Sequence, residues 1–304
     1  MPIVRPRRAF LDSCILKRLS HGEWREAGEA LHRRTQEGEI AVLVTPDHLS
    51  DYVDCSDQLD AIREAGYVDT FCPLWMCSGE GIYHREAYSE YLLLTGGAPL
   101  PPPFPTRAFP DCLLQWARDC PCDAAWVRSW GGGYVREDEG AFSHVVRLGF
   151  EHDQSGHSPT LLQRRGEKEL CAGNLQGARA QELSTYQLDA HFRRAWVRVL
   201  SMPPARAPEG DLAMLAARVE FDRMPAWRVR IAVETQWLKS QTKPKASDVI
   251  DRRHLALLPY VDAFVAEKNM VGLIRQAKVQ GGTSVGASNE DWPSLVGIRS
   301  TDDS

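Results

Sequence analysis

The sequence predicts an α/β fold: a central, mostly parallel sheet flanked by helices, interrupted by a large, mainly helical insertion. Two observations carry this expectation. Short apolar runs alternate with segments whose apolar residues recur at helical spacing, the pattern of a sheet built from strand–helix units. The alternation stops at a proline-rich connector, Gly96-Gly-Ala-Pro-Leu-Pro-Pro-Pro-Phe-Pro105, and resumes near residue 241. The expected organisation is therefore 1–95 and 241–285 as two halves of one sheet domain, 96–240 as the insertion, and 286–304 as a polar tail.

The elements follow in order. Val4 to Asp12 reads as a strand running into a turn. Cys14 to Gln36 carries Ile15, Leu16, Leu19, Trp24, Ala27, Ala30 and Leu31 at helical spacing, and Gly38 ends it. Ile40-Ala-Val-Leu-Val44 is continuously apolar, as a strand buried on both faces should be. Thr45-Pro46-Asp47 opens a helix, with Thr as N-cap and Pro at the first helical position. Asp60 to Gly66 continues that helix or turns, Val68 to Leu74 is expected as a strand, and Gly81 to Leu94 as an amphipathic helix. The connector cannot form a regular helix, because proline lacks the amide hydrogen. Within the insertion, Leu175 to Leu200 and Asp211 to Glu220 read as helices, and Phe142 to Gly149 as a strand. Ser247 to Leu258 is expected as a helix with Ser247 as N-cap and Pro259 limiting its end. A buried strand, Asp262 to Ala266, and a helix, Asn269 to Lys278, complete the pattern.

Composition narrows the function classes. The chain has 304 residues, of which 43% are hydrophobic and 25% charged, the makeup of a globular protein. No apolar run approaches the roughly 20 residues of a membrane-spanning helix. The basic start, Met1-Pro-Ile-Val-Arg-Pro-Arg-Arg, lacks a signal-peptide core, so a cytoplasmic location is expected. A net charge of −5 excludes overall steering toward nucleic acid, leaving only a local patch, with Arg5, Arg7, Arg8, Arg252, Arg253 and Lys268 as candidates. The eight cysteines show no paired CxxC spacing and are expected as separate reduced thiols, mostly interior. A structural zinc on Cys112, Cys120 and Cys122 is the alternative.

The chemistry-bearing residues are carboxylates. Asp12 closes the first strand, and Glu267 directly follows the strand at 262 to 266. In an open parallel sheet, ligands gather at the carboxyl ends of the strands, so both acids would face the same rim. Asp248 and Asp251 share one face of a helical first turn, and Asp51 and Asp54 repeat that spacing after the second strand. Converging carboxylates need a cation to remain ionised together, and clustered oxygens select Mg²⁺ or Mn²⁺. Neither GxSxG nor GxxxxGK[ST] is present to suggest a competing chemistry.

Three segments in order, Ala9-Phe-Leu-Asp12, Thr-Pro-Asp-His48-Leu-Ser-Asp51, and Ser247-Asp248-Val-Ile-Asp251-Arg-Arg-His254-Leu-Ala-Leu-Leu-Pro-Tyr260-Val-Asp262-Ala-Phe-Val-Ala-Glu267-Lys268, resemble the PIN domain. Members of that family are metal-dependent nucleases, mostly of RNA. The resemblance implies a Mg²⁺- or Mn²⁺-dependent endoribonuclease, with Asp12, Asp51, Asp251 and Glu267 as catalytic metal ligands. Asp248 assists them, and Asp262 joins the acidic set as a metal or supporting residue. The sequence departs from the family at Asp51, where Glu is commoner, at Ala266, where Thr is usual, and at Glu267-Lys268, where Asp is usual. The alternative is thus a degenerate PIN-like module that binds RNA or protein as a scaffold; a third option is a metal phosphoesterase acting on DNA or nucleotides. RNA is the expected partner, and the insertion is expected to shape the substrate channel or to bind a protein partner or a second copy of the chain.

Plainer roles are open for each residue. Asp12 and Asp248 suit helix capping or dipole complementation, and Asp51 and Asp54 suit a solvated face. His254 suits packing beside the site, Glu86 and Glu90 suit the surface, and the tryptophans of the insertion suit the core.

Overall fold

The computed structural model describes residues 5–53, 57–107, 109, 141–154, 185–201, 209–239, 252–279 and 281–298. Five parallel strands form one sheet in the order β3-β2-β1-β4-β5, with β1 Arg7–Leu11, β2 Ile40–Val44, β3 Leu74–Trp75, β4 Ala263–Ala266 and β5 Ser284–Ala287. Alternate side chains leave opposite faces. Ala9, Leu11, Val42, Val44, Ala263 and Val265 enter one apolar layer, whereas Phe10, Leu43, Phe264 and Ala266 enter the other. Both faces are covered, which is why β2, β4 and the Ala9–Leu11 end of β1 read as continuous apolar runs.

The first layer is closed by α1 Ser13–Ser20, α2 Arg25–Gln36, α3 Pro46–Val53 and α4 Gln58–Asp69. The second is closed by α5 Gly79–Leu94 together with elements from the insertion. Those elements do not build a core of their own among the described residues. Helix α6, Phe142–Gln154, joins the first layer through Phe142, Val145 and Val146. Helices α7 Thr185–Ser201, α8 Glu209–Ala216 and α9 Pro225–Lys239 join the second through Trp196, Leu212 and Trp227. Trp196, Trp227 and Trp237 are buried, as expected of core tryptophans; Trp116, Trp126 and Trp130 lie outside the described residues.

Four expectations are corrected. Phe142 to Gly149 is helical: the Asp69 carboxylate accepts the amides of Phe142 and Ser143, capping α6 from a distant element. Helix α4 continues to Asp69, leaving only Leu74–Trp75 as strand. Within 247–258, residues 252–254 are helical and Leu255–Tyr260 tighten into a 3-10 helix containing Pro259; residues 240–251 lie outside the described residues. The stretch expected as a polar tail, 286–304, holds the second half of β5, and then α11, Trp292–Leu295, which buries Trp292 completely. Between β4 and β5, α10 spans Lys268–Gln276. Among the described residues no helix is long and apolar enough to cross a membrane.

Of the cysteines, Cys77 is buried, Cys14 half-buried and Cys72 exposed, all as free thiols. Cys72 thus departs from the expected interior placement. Cys112, Cys120 and Cys122 lie outside the described residues.

Candidate functional site

Strand order places the site. From β1 the chain moves outward on one side to β2 and β3, and on the other side lie β4 and β5. The connections leaving β1 and β4 therefore diverge, and the crevice between them opens at the carboxyl ends of the strands. Asp12 is the first residue after β1, and Glu267 the first after β4. The two strands are locked at this rim by Asp12 N–H donating to Val265 O at 2.9 Å.

Asp12 occupies the N-cap position of α1, yet its side chain makes no capping bond. It is only 6% exposed, and its Oδ2 accepts from Cys14 Sγ at 3.6 Å. Burial, reinforced by the charge of Glu267, pushes its carboxyl up to about 6, against the Cys14 thiol and the amides of Ser13 and Glu267. Glu267 itself is exposed at the N-cap of α10, where its side chain caps nothing.

Asp51 approaches from α3. Its Oδ2 accepts from Ser13 Oγ at 2.7 Å, and Lys17 Nζ donates to its backbone oxygen at 3.2 Å. Burial pushes its carboxyl up to about 7; Asp12 and Asp47 add to the rise, while the Ser13 hydroxyl and Lys17 oppose it. A fully solvated helix face does not describe Asp51, which is half-buried. Asp54 lies outside the described residues.

Helix α3 is set by a reciprocal cap. His48 N–H donates to Thr45 Oγ1 at 3.4 Å, and the Thr45 amide donates to His48 Nδ1 at 3.2 Å. This has the logic of a capping box, with His in place of Glu. Because Nδ1 accepts, Nε2 carries the proton and donates to Leu11 O at 3.0 Å, fixing the backbone just before Asp12. Burial lowers His48 to about 4, so the ring stays neutral. Phe10 packs against both His48 and His254, with ring centroids 4.9 and 5.0 Å apart. His254 Nδ1 stands 3.8 Å from Asp12 Oδ1, beyond a hydrogen bond, and burial holds the ring well below its usual range. His254 is therefore a neutral packing residue, in line with the plainer reading.

Asp47, which the sequence reading did not select, belongs to the same rim. It is 4% exposed, accepts from Gly79 N at 2.7 Å, and is pushed by burial to about 6. Arg253 lies 3.9 Å from it and 2.8 Å from Glu80. A Cβ at Gly79 would run into the Arg253 carbonyl, so glycine permits this close approach. The signal was present: Asp47 follows the second strand closely, separated from it by the Thr45-Pro46 cap.

The other selected residues divide. Asp262 precedes β4, at the opposite end of the sheet; its Oδ2 accepts from Arg8 N at 2.7 Å and Arg5 Nη2 at 3.3 Å. The structure thus places Asp262 as a clamp on the first strand, away from Asp12 and Glu267. Asp248 and Asp251 lie outside the described residues. Among the described residues no three His, Cys, Asp or Glu side chains are arranged as a metal-ligand group.

Glu86 and Glu90 are buried rather than surface charges. Glu86 accepts from the amides of Ala226 and Trp227 and from the Tyr260 hydroxyl, capping α9. Glu90 accepts from Glu220 N at 3.2 Å. No protein family matches the chain, and comparisons with curated proteins and with solved structures return no significant match.

Proposed function

We propose that this chain is a PIN-like, Mg²⁺- or Mn²⁺-dependent endonuclease acting on RNA, with its site in the β1–β4 crevice. One observation supports it above the others: buried or half-buried carboxylates, Asp12 and Asp51, stand at one rim with their acidities weakened to about 6 and 7. Burying an acid whose partners are a thiol and amides is costly and its side chain makes no capping bond to α1, whereas a cation would offset that cost. The all-parallel sheet is compatible with the PIN resemblance.

Asp12, Asp51 and Glu267 offer the hard oxygen donors such an ion takes, and Asp251 or Asp248 would complete the set. When bound, the ion would supply a more acidic water and neutralise charge developing on the phosphate. The chain's own residues hold the frame. His48 fixes the backbone before Asp12, Ser13 orients Asp51, and His254, packed on Phe10, stands 3.8 Å from the Asp12 carboxylate.

The scaffold reading rests on a different observation. Asp51 and Asp47 each hold a structural hydrogen bond, and the described residues do not themselves form a three-ligand group. One experiment separates the two readings. Labelled single-stranded RNA, single-stranded DNA and nucleotides are incubated with Mn²⁺ and either the wild type or Asp12→Asn, and Mn²⁺ binding is measured by calorimetry. The nuclease reading expects RNA cleavage that drops by more than about a hundredfold in Asp12→Asn, since even groups that only support a ligand are worth up to that much. Cleavage equal in the two proteins removes Asp12 from the site. RNA binding without cleavage or Mn²⁺ uptake establishes the scaffold, and preferential hydrolysis of DNA or nucleotides the third reading.

A further inference from the structure

His254 packs beside the crevice, but packing alone does not call for an imidazole there. The residue is 2% exposed, and its ring lies against those of Phe10 and His48, with centroids 5.0 and 5.2 Å away. Its Nε2 is buried with no hydrogen-bond partner among the described residues. Its Nδ1 stands 3.8 Å from Asp12 Oδ1, just beyond a hydrogen bond. A buried polar ring with neither nitrogen bonded costs free energy, and Leu or Phe would fill the same niche without that cost. His48 is a different case, since both its ring nitrogens are engaged, by Thr45 and by Leu11 O. The fold uses the polarity of His48 and leaves that of His254 idle, facing a carboxylate of the candidate site.

The neutral ring has two forms. With the proton on Nε2, an unpaired N–H is sealed in the interior and the Nδ1 lone pair is set against the Asp12 oxygen. With the proton on Nδ1, the donor faces that oxygen and only a lone pair is buried. The second form is the better one, so the two stacked histidines carry opposite tautomers, Nε2–H in His48 and Nδ1–H in His254. Leu255, Ala256, Leu257 and Leu258, which follow His254, are all buried and hold its backbone in place. A side-chain rotation that moves the atoms by about 1 Å closes the pair to hydrogen-bond length.

We propose that His254 is a positioning residue for Asp12: its neutral ring donates Nδ1–H to Asp12 Oδ1 and holds that carboxylate in one orientation when a divalent cation binds. The inference rests on the cation site of the nuclease reading. No proton is transferred and the ring stays neutral throughout. An oriented ligand loses less freedom on binding, and donors of this kind to a ligating side chain raise metal affinity.

The test has two readouts, neither of them cleavage. The first is NMR of the histidine ring nitrogens in isotope-labelled wild type, with the His254 signals identified by their loss in His254→Leu. The Nδ1–H form is expected for His254, beside the Nε2–H form of His48 as an internal reference. The second is Mn²⁺ binding by calorimetry to wild type, His254→Leu and His254→Asn. Leu and Asn have nearly the same shape, but the Asn amide can place an N–H where Nδ1–H stood. His254→Leu should weaken Mn²⁺ binding by about tenfold or more, whereas His254→Asn should retain most of it. The Leu variant should melt at or above the wild-type temperature, because it removes a buried polar ring. An Nε2–H ring at His254 overturns the proposal without touching the nuclease reading. So does Mn²⁺ binding by His254→Leu as tight as that of wild type, or by His254→Asn as weak as that of His254→Leu. Wild type that takes up no Mn²⁺ removes the nuclease reading, and the positioning role falls with it.

Discussion

Asp12 carries a cost that its local structure does not recover. Its folded-state carboxyl lies near 6, above the 3.8 of an unperturbed aspartate. The native protein therefore binds this proton more readily than the unfolded chain. The stability it contributes is full below about pH 4 and is lost as pH rises through about 6. Asp12→Asn removes the charge but keeps the shape. In excess chelator, denaturant unfolding at pH 8 should show the variant more stable than wild type by roughly 3 kcal/mol, the value of a shift of about two units, with the gain vanishing near pH 4. A variant less stable at pH 8 would mean that the carboxylate serves the fold. Asp12 was legible because it closes an apolar run, and the same rule reaches Asp47. What sequence could not reveal is that His48, three residues after Thr45, turns back to cap its own helix and grip Leu11.

At the scale of elements, strands buried on both faces and helices with one apolar stripe were readable, because each advertises its period. Elements completed by distant partners were not. Helix α6 takes its cap from Asp69, and α9 takes its cap from Glu86, 140 positions away from Ala226. Glu86 has its carboxyl pushed up to about 7 by burial, against the bonds from Tyr260, Ala226 and Trp227. Glu86→Ala would strand two amides and a hydroxyl in the interior and should cost about 2–4 kcal/mol. Glu86→Gln keeps an acceptor and should lose less than half as much in the same denaturation measurement. Equal losses would show that the cap is incidental. A second buried tie, Glu234 with Arg230 and Arg252, binds α9 to the segment carrying His254; the two guanidiniums hold its carboxyl down at about 2 despite burial.

For the molecule as a whole, the sheet continues past the point where composition suggests a tail. β5 pairs with β4 from Ser284 to Ala287, and Trp292 is wholly buried in the first apolar layer. A chain ending at Gly281 should lose its cooperative thermal transition; a transition at the wild-type temperature would show β5 and Trp292 to be dispensable. β5 escaped the sequence reading because Ser284-Val-Gly-Ala287 is too short and too small-sided to signal a strand, and glycine stands at 286 because Leu295 fills the space a Cβ would take. The position of β1 has a temporal side as well. Its partner at Ile40 is made 33 residues after Arg7, but Ala263, which pairs with Ala9, is made 254 residues after it. A nascent chain leaving the ribosome therefore carries Asp12 with one flank of β1 open until β4 follows, and without Glu267 over that whole interval. A product terminated within the insertion therefore lacks the β4 flank of this rim altogether, and the pairing of Asp12 with its partner strand waits on the synthesis of residue 265.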